Sequence, residues 1–439
     1  MRRGRTSLVG RTNWLLSQFR KKIWVRAALF SLAAVFVAIL AALVGPYIPY
    51  DPGLTLASGS VDHILNILAS SMLAVTTFSL SIMVSAYASA TSNVTPRSTK
   101  LLIADPVAQN TLATFVGSFL FSIVGIIGLA AGLYDDKGRI ILFMATLVVI
   151  FLITATLLRW IEQLGNFGRV GDTILRVERA AEPAFRNAGR TPRLGAMPWV
   201  GIPDTAFAVL STESGLIEHI DVAKMDKLAA ANGARVFIGA MPGALVHPSR
   251  TLFHFEGSLD GAVIEELRKC VSVGDDREYE QDPRFGLIVL SEIASRALSP
   301  AVNDPGTAIE VLGSGMRVLL AYADARDDAE QAQCRHVYAP DLDVEELFTS
   351  FFNPIARDGC RIVEVQIRLI AVLEALASRS PKLFGNAAVA STTSAVERSN
   401  SAMVAEQDKL EIAQRVERAN LAVQIIDHDK RRSGNALKA

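Results

Sequence analysis

The sequence predicts a mixed fold: an α-helical transmembrane bundle of about four spans, then a soluble α+β domain with a mostly helical second half. Three observations carry that prediction. Ala27 to Leu158 is nearly free of charge, a mixed-sign pattern returns from Arg159, and after Thr205 the apolar period switches from helical to strand-like and back. The 439 residues hold 44 basic and 44 acidic side chains, so the zero net charge averages over this asymmetry. No basic patch rises above the N-terminal arm, and no nucleic-acid partner is expected.

The arm, residues 1–26, holds eight Lys or Arg and no acid. Four apolar stretches follow, and each approaches the roughly 20 residues that cross a bilayer. Ala27 to Tyr50 is uncharged, Ile64 to Pro96 runs 33 residues without Asp, Glu, Lys or Arg, Val107 to Tyr134 runs 28, and Ile140 to Leu158 runs 19. Helices are therefore expected near 27–45, 63–90, 107–133 and 140–159. The first exceeds the 7–15 apolar residues usual in a cleaved signal and reads as a signal anchor.

Basic segments alternate with poorer ones. The arm is basic, 46–62 holds only Asp51 and Asp62, Arg97 and Lys100 follow, and Arg159, Arg169, Arg176 and Arg179 come after the last span. The positive-inside bias then predicts that both termini lie on the cytoplasmic side of the membrane.

The second stretch carries Ser70, Ala74, Thr77, Ser81, Ser85, Ala88 and Ser92 at spacings of three or four, a single hydroxyl-bearing stripe. Ser118, Ser122, Gly125, Gly128 and Gly132 repeat the pattern on the third. Such stripes allow close helix packing, and they also suit the lining of a pore built by several subunits; both readings stand. No Asp, Glu, Lys or Arg interrupts the apolar run of a span, which disfavours a pump or ion-coupled transporter. At about 1.5 Å per residue the second helix outlasts the bilayer, until Thr95-Pro96-Arg97 breaks it. Asp105-Pro106 reads as an N-cap and first helical residue opening the third span.

Residues 161–204 read as a charged helix continuing the fourth span, with Ile174, Val177 and Ala181 on one side, then a Pro/Gly linker from Pro192 to Pro203. Residues 205–258 form a small module of four or five strands around one helix that begins at Asp221 and stops at Gly233. Residues 259–380 are helical: 259–270, a helix from Asp282-Pro283 burying Leu287, Leu290 and Ala294, another from Asn303-Asp304-Pro305, then 343–353 and 361–379. Residues 381–439 are Ser/Thr-rich and then basic, a polar tail with a weak helix near 395–425.

No P-loop, HExxH or GxSxG is present, and Gly313-Ser314-Gly315 inside a helix is too weak for a nucleotide site. The six histidines show no ligand spacing, and Cys270, Cys334 and Cys360 lie far apart as free thiols. Neither metal nor cofactor is expected, and no enzyme chemistry is legible. The densest segment is 282–305. Asp282 and Arg284 open one helix, and Arg296, Asn303 and Asp304 gather where it breaks before the next. Free N–H groups at a helix start attract anions, so these five residues are candidates for ligand or anion binding. The alternative is that both Asp residues cap helices and both Arg residues form salt bridges.

The stretch from Gln281 to Ala308 resembles the signature of a bacterial family of predicted membrane proteins, domain of unknown function number 2254. Thr95-Pro96-Arg97 resembles that family's Ser-Pro-Arg turn, with Val94 where Gln or Ser is expected. Ser214 to Asp221 with Pro242-Gly243 resembles its Gly-rich strand and Pro-Gly turn. The resemblance covers about 20–380 and implies several N-terminal spans and a soluble part, without an activity. Two functions remain on the sequence. One is an oligomeric pore gated by the cytoplasmic domain, which requires a homo-oligomer in the lipid bilayer. The other is a membrane-anchored sensor or scaffold.

Overall fold

A computed structural model describes residues 23–44, 60–165 and 168–419. The arm, most of the 46–62 loop and the end of the tail lie outside the described residues. The chain divides into a membrane unit ending at Asp172 and a second unit beginning at Thr173.

Four helices of the first unit are long and apolar enough to cross a membrane. They are α1 (Ile23–Val44), α2 (Ser60–Asn93), α4 (Pro106–Ala130) and α5 (Asp136–Leu164), with the short α3 (Pro96–Ile103) between the second and third. Where the sequence suggested a plain break after the second span, Thr95 instead caps α3 by accepting from the Arg97 N–H. Its neighbour Asp105 caps α4 at 2.9 Å from the Ala108 N–H, with Pro106 at the first position. α4 is the central helix, packing against α1, α2 and α5. Glycines allow the close approach: a Cβ on Gly117 would lie 3.3 Å from the Phe30 backbone, and one on Gly125 2.9 Å from Leu65 Cδ1. Tyr134 after α4 donates to the Ala38 carbonyl of α1 at 2.9 Å.

The expected continuation of the fourth span is interrupted. α5 ends at Leu164 and α6 (Val170–Arg190) starts afresh, with Gly168 left-handed at φ 81 between them. Only glycine adopts that backbone cheaply, and the helix cannot run through it.

The second unit holds two sheets. Its strands are β1 (Ala196–Pro198), β2 (Phe207–Leu210), β3 (Gly215–Ile220), β4 (Arg235–Ile238), β5 (Leu245–Val246), β6 (Thr251–Glu256), β7 (Val271–Gly274) and β8 (Cys334–Ala339). The larger sheet runs β1-β8-β4-β6-β2, the smaller β5-β3-β7. A module closed at residue 258 is therefore not what forms. β1 comes from the expected linker, and β7 and β8 come from the expected helical part, because the short strands need these partners. α7 (Val222–Ala231), capped by Asp221, and α8 (Gly261–Arg268) add Met225, Ala229 and Leu267 to their core.

The helical layer comprises α9 (Pro283–Ala297), α10 (Pro305–Asp327), α11 (Val344–Asp358), α12 (Val363–Arg379) and α13 (Pro381–Ala402). α13 departs most from expectation. Residues 381–402 are a packed helix and not a polar tail: Phe384 is buried 5.6 Å from the Phe348 ring, with Ala387, Ala388, Ser391 and Ala395 buried behind it. Small and hydroxyl side chains let this helix sit close, which composition alone reads as polarity. Residues 406–419 are also helical.

Candidate functional site

The hydroxyl stripe of α2 faces away from its own bundle. Ser70, Ala74, Thr77, Ser81, Ser85 and Ala88 are all exposed, whereas Leu65, Ala69, Met72, Ser79, Met83 and Ala86 are buried. At about 100° per residue the two sets lie on opposite sides of the helix. The side chain of Ser92 lies outside the described residues. Ser70, Thr77 and Ser81 donate to the carbonyls of Asn66, Leu73 and Thr77 at 2.9, 3.0 and 3.1 Å. Their protons are thus satisfied within the helix while oxygen lone pairs face outward.

The stripe of the third span has the other placement. Ser118, Ser122, Gly125 and Gly128 are buried within the bundle. Their hydroxyls return to Thr114 and Ser118 carbonyls at 2.7 and 2.9 Å, and the glycines receive Leu65 and Tyr134. Here small residues serve internal packing.

The five candidate ligand residues of the second unit fall at the two ends of α9, roughly 22 Å apart for its 15 residues. At the first end Asp282 is 3% exposed. Its Oδ1 accepts from the Phe285 N–H at 3.3 Å, and Arg277 donates from Nε to Oδ2 at 2.6 Å. The Arg277 guanidinium stands 5.4 Å from the centroid of the Phe285 ring, against which Tyr279 also packs at 4.7 Å. Gly243, left-handed at φ 86, brings the Met241-Pro242-Gly243 turn onto Asp282 and Arg277, where any Cβ would overlap the carboxylate. Burial pushes the Asp282 carboxyl up, against the pull of Arg277. Arg284 pairs with Glu346, and burial together with Arg277 lowers its pKa.

At the second end Asp304 accepts from the Thr307 N–H at 3.1 Å and the Thr307 hydroxyl at 2.7 Å, which holds its pKa low. Asn303 is left-handed at φ 50, and the Asp304 N–H donates to the Ala297 carbonyl at 2.8 Å, closing the break. Arg296 and Asn303 are exposed beside it. Both helix starts are therefore filled by a carboxylate of the chain itself.

Sequence reasoning missed three residues that organise this region. Arg277 is the lone cation in the Asp275-to-Glu280 loop, a signal that was visible. Glu178 and Arg317 were not legible, because their pairing depends on how α6 lies against α10. Arg317 gives Glu178 two hydrogen bonds of 2.6 Å. Gly286 of α9 meets Ala181 of α6, and Gly189 of α6 meets Ala325 and Tyr322 of α10. The helix that follows the last span is thus held by both signature helices. The Gly313-Ser314-Gly315 run is packing: Ser314 is buried and Gly315 lies under the Phe351 ring.

Among known proteins, a family described as predicted membrane protein (DUF2254) matches residues 20–375. Uncharacterized proteins of Mycobacterium bovis and Mycobacterium tuberculosis are similar at 26% identity over 349 residues, which is 74% of this chain. The chain spans 66% of the length of these relatives. No solved structure matches.

Proposed function

We propose that this chain, which belongs to the DUF2254 family of predicted membrane proteins, assembles with copies of itself into a membrane pore gated by its α+β domain. The observation that carries the reading is the outward stripe of Ser70, Thr77, Ser81 and Ser85. Hydroxyls and small residues gain little from lipid tails, whereas across a helix–helix seam they pack closely and offer oxygen to water or ions. Three helices pack around the central α4 of each subunit, so in this reading the lining comes from several subunits. The gating part of the reading is supported by α6, which follows the last candidate span and whose partners α9 and α10 belong to the domain. The setting is a bacterial inner membrane with both termini cytoplasmic, as the basic segments suggest.

Purified protein in liposomes is expected to pass ions, and Ser81→Leu to change the conductance. No flux with either protein removes the proposal. A membrane-anchored sensor is the second reading, favoured by the same α6 clamp, since a ligand bound by the domain would act on the helix following the last span. It predicts ligand binding without flux.

A further inference from the structure

We propose that α3 is an interfacial platform that binds the headgroup of an anionic phospholipid. Chain continuity fixes its level. α3 joins the end of α2 to the start of α4, both membrane-crossing helices, so it lies where the spans leave the hydrocarbon. Thr91 of α2 and Thr99 of α3 share a hydrogen bond at 3.0 Å, and Ser98 and Leu102 are buried, which seats the helix on the bundle. Its other face presents Pro96, Arg97, Lys100 and Ile103. Two cations beside an exposed apolar residue, 40% open at Ile103, match what an interfacial helix shows to a bilayer: charge for headgroups and apolar surface for the acyl boundary.

The neighbourhood has the complementary charge. Arg26 of α1 donates to Asn110 Oδ1 of α4 at 3.1 Å, and Gln163 of α5 to Asp105 Oδ2 at 3.4 Å. These contacts put the start of α1 and the end of α5 at the same end of the bundle as α3. Arg159 is exposed there too. Among the described acids at this end of the membrane unit, Asp105 is buried as the α4 cap, Asp172 is half-buried and Glu162 is exposed. The opposite end mixes signs, with Asp62, Asp135 and Asp136 near Lys137 and Arg139. A phosphate-bearing, net-negative headgroup therefore fits the α3 end and not the other. This holds whether or not the chain conducts.

The test is native mass spectrometry of the full chain released from neutral detergent, with phosphatidylglycerol titrated against phosphatidylcholine. The wild type is expected to retain phosphatidylglycerol preferentially. Arg97→Gln with Lys100→Gln is expected to weaken that preference by about a factor of five per charge removed. Lys137→Gln with Arg139→Gln, at the opposite end, is expected to leave it unchanged. If the double variant does not fold, Lys100→Gln alone serves, with about a fivefold loss expected. An unchanged preference in a folded α3 variant overturns the assignment. So does saturation of the site by inorganic phosphate alone, which would make it a phosphate site without a lipid.

Discussion

Glu178 of α6 accepts two hydrogen bonds of 2.6 Å from Arg317 of α10, with Glu178 only 13% exposed. Burial pushes its carboxyl up, but the bonds from Arg317 and Ser314 outweigh that and hold its pKa below 4.5. A depressed carboxylate stabilises the fold above its unfolded pKa and loses that contribution as pH falls through the folded value. Glu178→Gln should cost about 0.5–1 kcal/mol at neutral pH, since Arg317 is half-exposed. It should also flatten the acid limb of stability below pH 4.5. Thermal unfolding across pH checks this; an acid limb identical to wild type refutes it.

Asp282 has the opposite sign. Burial raises its pKa, so this group favours the folded state at low pH and that preference fades as pH climbs from 3.8 towards the folded value. Asp282→Ala would leave Arg277 without its counter-charge and Phe285 without its cap. A loss of about 3–5 kcal/mol is expected, as when one partner of a buried pair is removed. Asp282→Asn retains a capping oxygen and should cost less. Chemical denaturation of both variants separates cap from charge.

Gly286 meets Ala181 with no room for a side chain. Gly286→Val should destabilise by about 1–3 kcal/mol through overpacking. Gly286→Ala combined with Ala181→Gly should recover part of the loss of Gly286→Ala alone. Additive losses in that double variant would show that the contact is not the cause.

The two faces of α2 make separable predictions for assembly. Ser81→Cys, on the outward stripe, should form disulfide-linked dimers in membranes under mild oxidation. Ser79→Cys, 1% exposed within the bundle, should not. Equal cross-linking at both positions, or none at Ser81→Cys, counts against a seam of subunits along the stripe.

The membrane helices were legible because length and the lack of charge between 64 and 96 or 107 and 134 leave few alternatives. The Asp-Pro starts were equally plain, since Asp105, Asp282 and Asp304 each cap a helix with Pro following. Which face of α2 would be covered was not. Ser79 and Ser81 look alike in sequence, and only the packing of α4 separates them. Strand partnership was hidden as well, because β1 pairs with β8 across more than a hundred residues and three-residue strands carry almost no periodic signal. α13 was misread because helices that pack through Ala and Ser resemble linkers in composition.

The central position of α4 dictates an order of biogenesis. Phe30 of α1 and Leu65 of α2 find their partners, Gly117 and Gly125, only on a helix synthesised later. A ribosome that has delivered just the first two spans has delivered two segments whose mating surfaces face lipid. Closure of the bundle therefore waits for the third span, the helix against which both earlier ones pack most extensively.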